Sequence, residues 1–178
     1  MEIEVQIGAK HFTPGRAGMK PEYIVIHIME GTLTGTDAWF NDDRCQASAH
    51  VGIGTNGEVH RYVKDEDSAW GCGVYNTIGA TFKGFKLTED GKLISPNYYT
   101  LNLEHEGTHD IVISDTAMRT SAKQIVEWAN KYNIPIDADH IVSHKSIYPG
   151  HDCPDKAIDI NQLIARAKGI QQFQTPNS

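Results

Sequence analysis

Apolar runs and alternation along the chain predict a set of short strands. Residues 22–28 form a β-branched apolar run after Pro21, and residues 99–106 alternate between apolar and polar side chains. Two further apolar stretches, 48–54 and 58–63, are separated by Thr55-Asn56-Gly57. An Asn-Gly pair between two such runs indicates a β-hairpin. The apolar pair at residues 141–142 predicts another short strand. Residues 111–113, which are also apolar, are a candidate extension of the 99–106 strand.

Helical periodicity is clearest over residues 115–132, where Ser114 or Asp115 can cap the N-terminus and Asn133-Ile134-Pro135 ends the pattern. We expect a short helix from Thr36 or Asp37 through about residue 43, and a closing helix over 158–167. Residues 65–97 are glycine-rich and irregular. The sum predicts an α/β domain with a central mixed β-sheet flanked by helices, spanning residues 1–170. Residues 171–178 look like a polar tail or the start of a linker.

Composition and charge exclude several classes of protein. The net charge is −7, and no basic stripe is present, which disfavours a nucleic-acid partner. No window approaches eighteen apolar residues, so we expect no membrane insertion. The first residues lack the pattern of a signal peptide. Cys45 and Cys72 are the one candidate disulfide pair, and two buried free thiols are the preferred interpretation.

Candidate metal ligands lie near the ends of two predicted strands and in one loop. His27 ends the run that begins near residue 22, and His144, His151 and Cys153 fall within residues 143–154, which contain Pro and Gly. A strand-end histidine taken alone is more often structural, but a cysteine beside Pro154 in a polar loop is hard to explain as core. Two imidazoles and one thiolate can hold Zn²⁺ while leaving a fourth position for water. Copper is disfavoured because no Met follows Cys153 as an axial ligand.

A competing motif spans residues 105–109, His-Glu-Gly-Thr-His, which matches the H-E-x-x-H pattern of zinc proteases. That motif requires a helix, which places both histidines on one face at i and i+4. Here it follows the alternating run, and Gly107 and Thr108 are poor helix formers. A protease using His105 and His109 is therefore the less favoured alternative.

The chain resembles the zinc-dependent N-acetylmuramoyl-L-alanine amidases shared by phage endolysins, bacterial autolysins and animal peptidoglycan recognition proteins. The resemblance rests on the order and spacing of short segments across most of the domain. These segments are 24–27 with Glu30-Gly31-Thr32, 48–53 leading to Asn56-Gly57, Ala69-Trp70-Gly71, 101–107, and 144–154.

The resemblance implies His27, His144 and Cys153 as zinc ligands, peptidoglycan as substrate, and cleavage of the amide between N-acetylmuramic acid and L-alanine. It also implies a central mixed sheet with helices on both sides and a zinc-bearing groove on one face. Two positions depart from many relatives: Ala49 stands where a Tyr is usual, and His151 stands in the place of a Lys.

Roles for the remaining residues follow as hypotheses. Glu104 matches a Glu used by a related branch and is expected to act as general base, with His151 donating to the oxyanion. Trp70 and His50 are candidate substrate contacts, with packing as the alternative for each. Asp152 is a candidate hydrogen-bond partner of a ligand imidazole, or simply a solvated loop charge.

The resemblance also carries expectations about biological setting. A phage or prophage endolysin catalytic domain would be made in the bacterial host cytoplasm and act on the cell wall after release, or leave by a non-classical route. A C-terminal wall-binding module is a further expectation. The alternative from another class is a recognition module that binds peptidoglycan without cutting it; such relatives typically lack the Cys, which this chain keeps.

Overall fold

In the computed structural model, residues 4–73 and 78–174 are described. The strands are Glu4–Gln6 (β1), Phe12–Thr13 (β2), Tyr23–Ile26 (β3), Val51–Ile53 (β4), Val59–Arg61 (β5), Ser68–Ala69 (β6), Thr100–His105 (β7) and Ile141–Ser143 (β8). The helices are Leu33–Phe40 (α1), Asp115–Tyr132 (α2), His144–Ile147 (α3) and Ile160–Gln174 (α4), with a 3₁₀ turn at Pro96–Tyr98.

Six strands form the central mixed sheet, in the order β1-β5-β4-β7-β3-β8. Strands β3, β4, β7 and β8 run parallel, whereas β4 and β5 form the predicted antiparallel hairpin. Strands β2 and β6 make a separate two-stranded sheet. Because β3, β7 and β8 are parallel neighbours, their carboxyl ends lie at one edge, where open α/β sheets place ligands.

The alternation of side chains along β3 and β7 separates the two faces of the sheet. Ile24, Ile26, Leu101 and Leu103 join the main apolar core beneath α2 and α4, together with the fully buried Trp128. Alternate positions on the same strands face the opposite side, because successive strand residues point in opposite directions.

Helix α1 packs on that opposite side. The ring of Phe40 lies edge-on to Tyr62, with centroids 4.9 Å apart, and Asp37 contacts His60 of β5 at 2.8 Å. Helices therefore cover both faces of the sheet, as the resemblance implied.

Several element boundaries differ from those predicted. Helix α1 begins at Leu33 rather than Thr36 or Asp37, because the Thr32 side chain accepts from Gly35 N and caps it there. Residues 111–113 are not a strand. Helix α4 continues to Gln174, beyond the predicted end at residue 167, so residues 171–174 are helical, and 175–178 lie outside the described residues. Helix α2 begins after Ser114, as predicted.

The structure also shows the state of the candidate cysteine pair and the character of the helices. Cys45 and Cys72 are both buried and free, as preferred. Within residues 4–73 and 78–174, no helix combines the length and apolar character needed to span a bilayer.

Candidate metal centre and groove

His27, His144 and Cys153 come together at the carboxyl edge of the sheet. His27 directly follows β3, His144 directly follows β8, and Cys153 lies in the loop after α3. All three are buried, and one donor atom from each lies within 4.8 Å of the others. The neighbouring parallel strands place the two imidazoles side by side, with ring centroids 4.6 Å apart.

The donor atoms have few other partners. Cys153 Sγ lies 3.9 Å from His27 Nδ1 and accepts from Ile28 N at 3.3 Å. His144 Nε2 is buried without a hydrogen-bond partner, although the ring has a backbone hydrogen bond with Cys72. A buried polar atom with no partner costs free energy unless something fills the position. A metal ion would satisfy it, so the residues present fit a metal.

Burial keeps these groups uncharged when no cation is near. It lowers the pKa of His144 to about 4, assisted by His151, and holds the pKa of His27 well below its ordinary range. Burial, with Glu104 nearby, raises the pKa of Cys153 to about 12. Neutral imidazoles are the form that binds metals, and a bound cation deprotonates a coordinating thiol.

Glu104 of β7 projects into the same space. Its Oε1 atom lies 4.0 Å from His27 Nδ1, and its Oε2 atom is buried without a partner. Burial raises the pKa of this carboxyl to about 8. A carboxyl whose pKa lies near neutrality, beside a candidate metal, is suited to general acid–base chemistry.

These residues line a groove of about 750 Å³ that also contains Trp39, Trp70 and His151. The His151 ring stacks 5.6 Å from that of His144 and is exposed at the rim. Trp70 donates from Nε1 to Thr13 Oγ1 at 2.9 Å and keeps part of its ring open to the groove. Trp39 of α1 was not singled out by the sequence, yet it is 47% exposed.

His50 is not a substrate contact. Its side chain is fully buried, and its Nδ1 atom accepts from Asn102 N at 2.9 Å, while Nε2 lies 3.2 Å from the carbonyl of Asp67. The backbone of His50 also donates to the carbonyl of Asn102. The two hydrogen bonds with Asn102 attach the segment before β4 to β7. The buried Arg16 and the 65–67 loop cover the His50 ring and separate it from the groove.

Asp152 likewise contacts no ligand imidazole; it is ion-paired with Lys145.

The H-E-x-x-H segment does not form a metal site. His105 is the last residue of β7, points toward α2, and bonds Ser121 Oγ and the carbonyl of His27, each at 2.8 Å. His109 lies in the following loop and pairs with Glu30 at 2.8 Å. His105 is fully buried against α2, whereas His109 is half-exposed beside Glu30, so the two histidines do not converge on one ion.

Asn102 is the residue near the donors that the sequence analysis missed. It is fully buried, and its Oδ1 atom lies 2.9 Å from His27 Nε2. The sequence does contain a feature that could have identified Asn102: it lies two residues before Glu104 on an alternating strand, and this spacing puts both side chains on one face of the sheet.

Comparison with known proteins assigns the fold and the family. Residues 17–156, which contain the three donors and Glu104, match the family model described as N-acetylmuramoyl-L-alanine amidase. The chain belongs to the N-acetylmuramoyl-L-alanine amidase family. A curated relative, N-acetylmuramoyl-L-alanine amidase A of Achromobacter lyticus, is 27% identical over 85 residues, 47% of this chain and 36% of that protein. The matched part is therefore about a third of the relative's length.

Solved structures share the fold of this family member. A selenomethionine derivative of AmpD superposes with a TM-score of 0.69 at 21% identity, covering 95% of this chain and 93% of that one. A mutant endolysin from Bacillus subtilis gives 0.65 at 18% identity, with 94% and 99% covered. The amidase LysC from Clostridium intestinale URNW gives 0.63 at 15% identity, with the same coverage.

Proposed function

We propose that this chain is a zinc-dependent hydrolase that cleaves the amide between the lactyl group of N-acetylmuramic acid and L-alanine in peptidoglycan. The observation that carries the proposal is the convergence of His27, His144 and Cys153 beside Glu104 in an open groove. Membership of the amidase family supports the choice of bond and substrate.

Zinc, when bound by the two imidazoles and the thiolate, would polarise the scissile carbonyl and lower the pKa of water. The remaining chemistry belongs to the chain. Glu104 accepts the proton of the attacking water at its unpartnered Oε2 atom and delivers it to the departing amine nitrogen of L-alanine. No hydrogen bond to Oε2 holds the carboxylate ionised, so the group can both take up and release a proton.

His151 and the tryptophans act on the substrate in this proposal. The His151 imidazole lies on the groove rim beside His144, where it can donate an N–H to the oxygen that becomes negative in the transition state. Trp70 and Trp39, which both line the groove, offer aromatic faces to the sugar or stem peptide.

Digestion of purified sacculi tests the proposal directly. Mass spectrometry should find stem peptides that begin with a free L-alanine amine, and glycan strands with free lactyl carboxyl groups. Cys153→Ser should abolish both zinc binding and release of stems. Cys45→Ser is the matched control, because Cys45 is also a buried free thiol but is not among the metal donors.

Three results would contradict the proposal. Binding of sacculi without new termini would make the chain a recognition module, and full activity of Cys153→Ser would remove that residue as a ligand. Cleavage of ordinary peptides that depends on His109 would revive the protease alternative.

A further inference from the structure

Asn102 lies beneath the metal donors and makes no contact with the groove. Its side chain is fully buried on β7, on the same face as Glu104. The Oδ1 atom lies 2.9 Å from His27 Nε2, on the side of the ring away from Cys153. Asn102 therefore contacts Nε2 of His27, whereas Nδ1 of the same ring faces Cys153.

The chemistry of a neutral imidazole makes this contact consequential. One ring nitrogen carries the proton and the other carries the lone pair, and the partner of the protonated nitrogen decides which is which. An amide oxygen can only accept, so Oδ1 selects the tautomer with the proton on Nε2. The lone pair then resides on Nδ1, the atom 3.9 Å from Cys153 Sγ.

Two neighbours, Thr100 and Cys72, favour the observed orientation of the Asn102 amide. Its Nδ2 donates to Thr100 Oγ1 at 3.4 Å, which leaves Oδ1 for His27. The Cys72 thiol also lies within 4.0 Å of Oδ1, as a weak donor. A flipped amide would present an N–H to His27 Nε2 and favour the wrong tautomer.

The surrounding backbone is shaped around this side chain. A Cβ added at Gly71 would lie 2.3 Å from Asn102 Oδ1, so the absence of a side chain at 71 creates the space for the amide. His50 holds the Asn102 backbone on the other side, with Nδ1 accepting from Asn102 N at 2.9 Å. Three separate segments of the chain thus converge on the position of one amide.

We propose that Asn102 is a positioning residue that fixes His27 as the Nε2–H tautomer and so directs the Nδ1 lone pair to the metal. This role rests on the metal site of the proposed function. Partners of ligand histidines fix ring orientation, and their loss typically weakens metal affinity by about 10–100-fold.

The test combines a spectrum of the metal-free protein with a zinc titration. Long-range ¹H–¹⁵N correlation spectra at neutral pH should show His27 as Nε2–H in the wild type and as a mixture of tautomers in Asn102→Leu, which has a similar volume. Chelator competition should show zinc affinity lower by about 10–100-fold in that variant. Asn102→Asp keeps the acceptor and should restore both readouts.

Ser121→Ala is the matched control, because it removes a buried hydrogen bond from His105, a histidine outside the donor set on the same strand. It should leave the His27 tautomer and zinc affinity unchanged. If Asn102→Leu does not fold, Thr100→Val replaces it, since it frees the amide to flip.

An unchanged His27 tautomer and unchanged zinc affinity in the variant would overturn the role of Asn102. Absence of zinc binding in the wild type would instead overturn the proposed function, while the metal-free spectrum would still decide the role of Asn102.

Discussion

Glu104 should destabilise the metal-free protein in a pH-dependent way. The pKa of its carboxyl is about 8 in the folded chain, compared with an ordinary value of 4.5. Between these values the unfolded chain ionises the group while the folded chain keeps it protonated. Folding stability attributable to Glu104 is therefore unaffected below pH 4.5, falls as the pH rises, and levels off above pH 8.

The size of the effect follows from the shift. One pKa unit corresponds to about 1.4 kcal/mol, so the penalty reaches about 3 kcal/mol at pH 7. Glu104→Gln cannot titrate. The unfolding free energy of the variant minus that of the wild type should therefore increase by about 3 kcal/mol between pH 4.5 and pH 7.

Urea unfolding in the presence of a chelator measures this difference at several pH values. Added zinc should reduce the difference in unfolding free energy between the variant and the wild type at pH 7, because a nearby cation favours the carboxylate. A variant-minus-wild-type difference that stays constant from pH 4.5 to pH 8 would refute the reasoning.

Glu106→Gln supplies a control of opposite sign. Burial works against ionisation of Glu106, but the backbone N–H groups of Thr55 and Leu33 outweigh it and lower the pKa of the carboxyl. The native carboxylate thus contributes stability above pH 4.5 that is lost on acidification. Its Gln variant should be less stable than the wild type at pH 7, and this deficit should shrink at lower pH.

Two other substitutions probe the groove and its support. Trp39→Ala should reduce kcat/KM on sacculi in a turbidity assay, because it removes an exposed ring from the groove wall. Phe173 is 93% exposed on α4 and lies outside the groove lining, so Phe173→Ala should leave kcat/KM unchanged. Equal effects of the two substitutions would argue against a role for Trp39 in substrate binding. Gly71→Ala should cost about 1–3 kcal/mol of stability by overpacking against Asn102. It should also weaken zinc binding, and wild-type values in thermal unfolding and chelator competition would contradict that geometry.

The site was predictable where it depended on strands with a clear pattern. The run before His27 and the alternation of residues 99–106 predicted β3 and β7, and parallel pairing then brings their ends to one edge. The same alternation argued against the H-E-x-x-H motif, because its two histidines need a helix to lie on one face at i and i+4.

The rest of the fold depends on contacts between distant segments. Strands β1, β2 and β6 contain only two or three residues each and exist because of their partners, so they leave no periodic signal. His50 was misassigned for a similar reason. Its burial depends on Arg16, 34 residues earlier, whose guanidinium lies 2.9 Å from it.

X-ray absorption at the zinc edge tests the central claim most directly. The account predicts a single zinc ion with two nitrogen neighbours at about 2.0–2.1 Å, one sulfur at about 2.3 Å, and a light atom from solvent in the fourth position. The sulfur signal should disappear in Cys153→Ser and persist in Cys45→Ser. A first shell without sulfur, or one filled by four protein ligands, would contradict a catalytic site built from His27, His144 and Cys153.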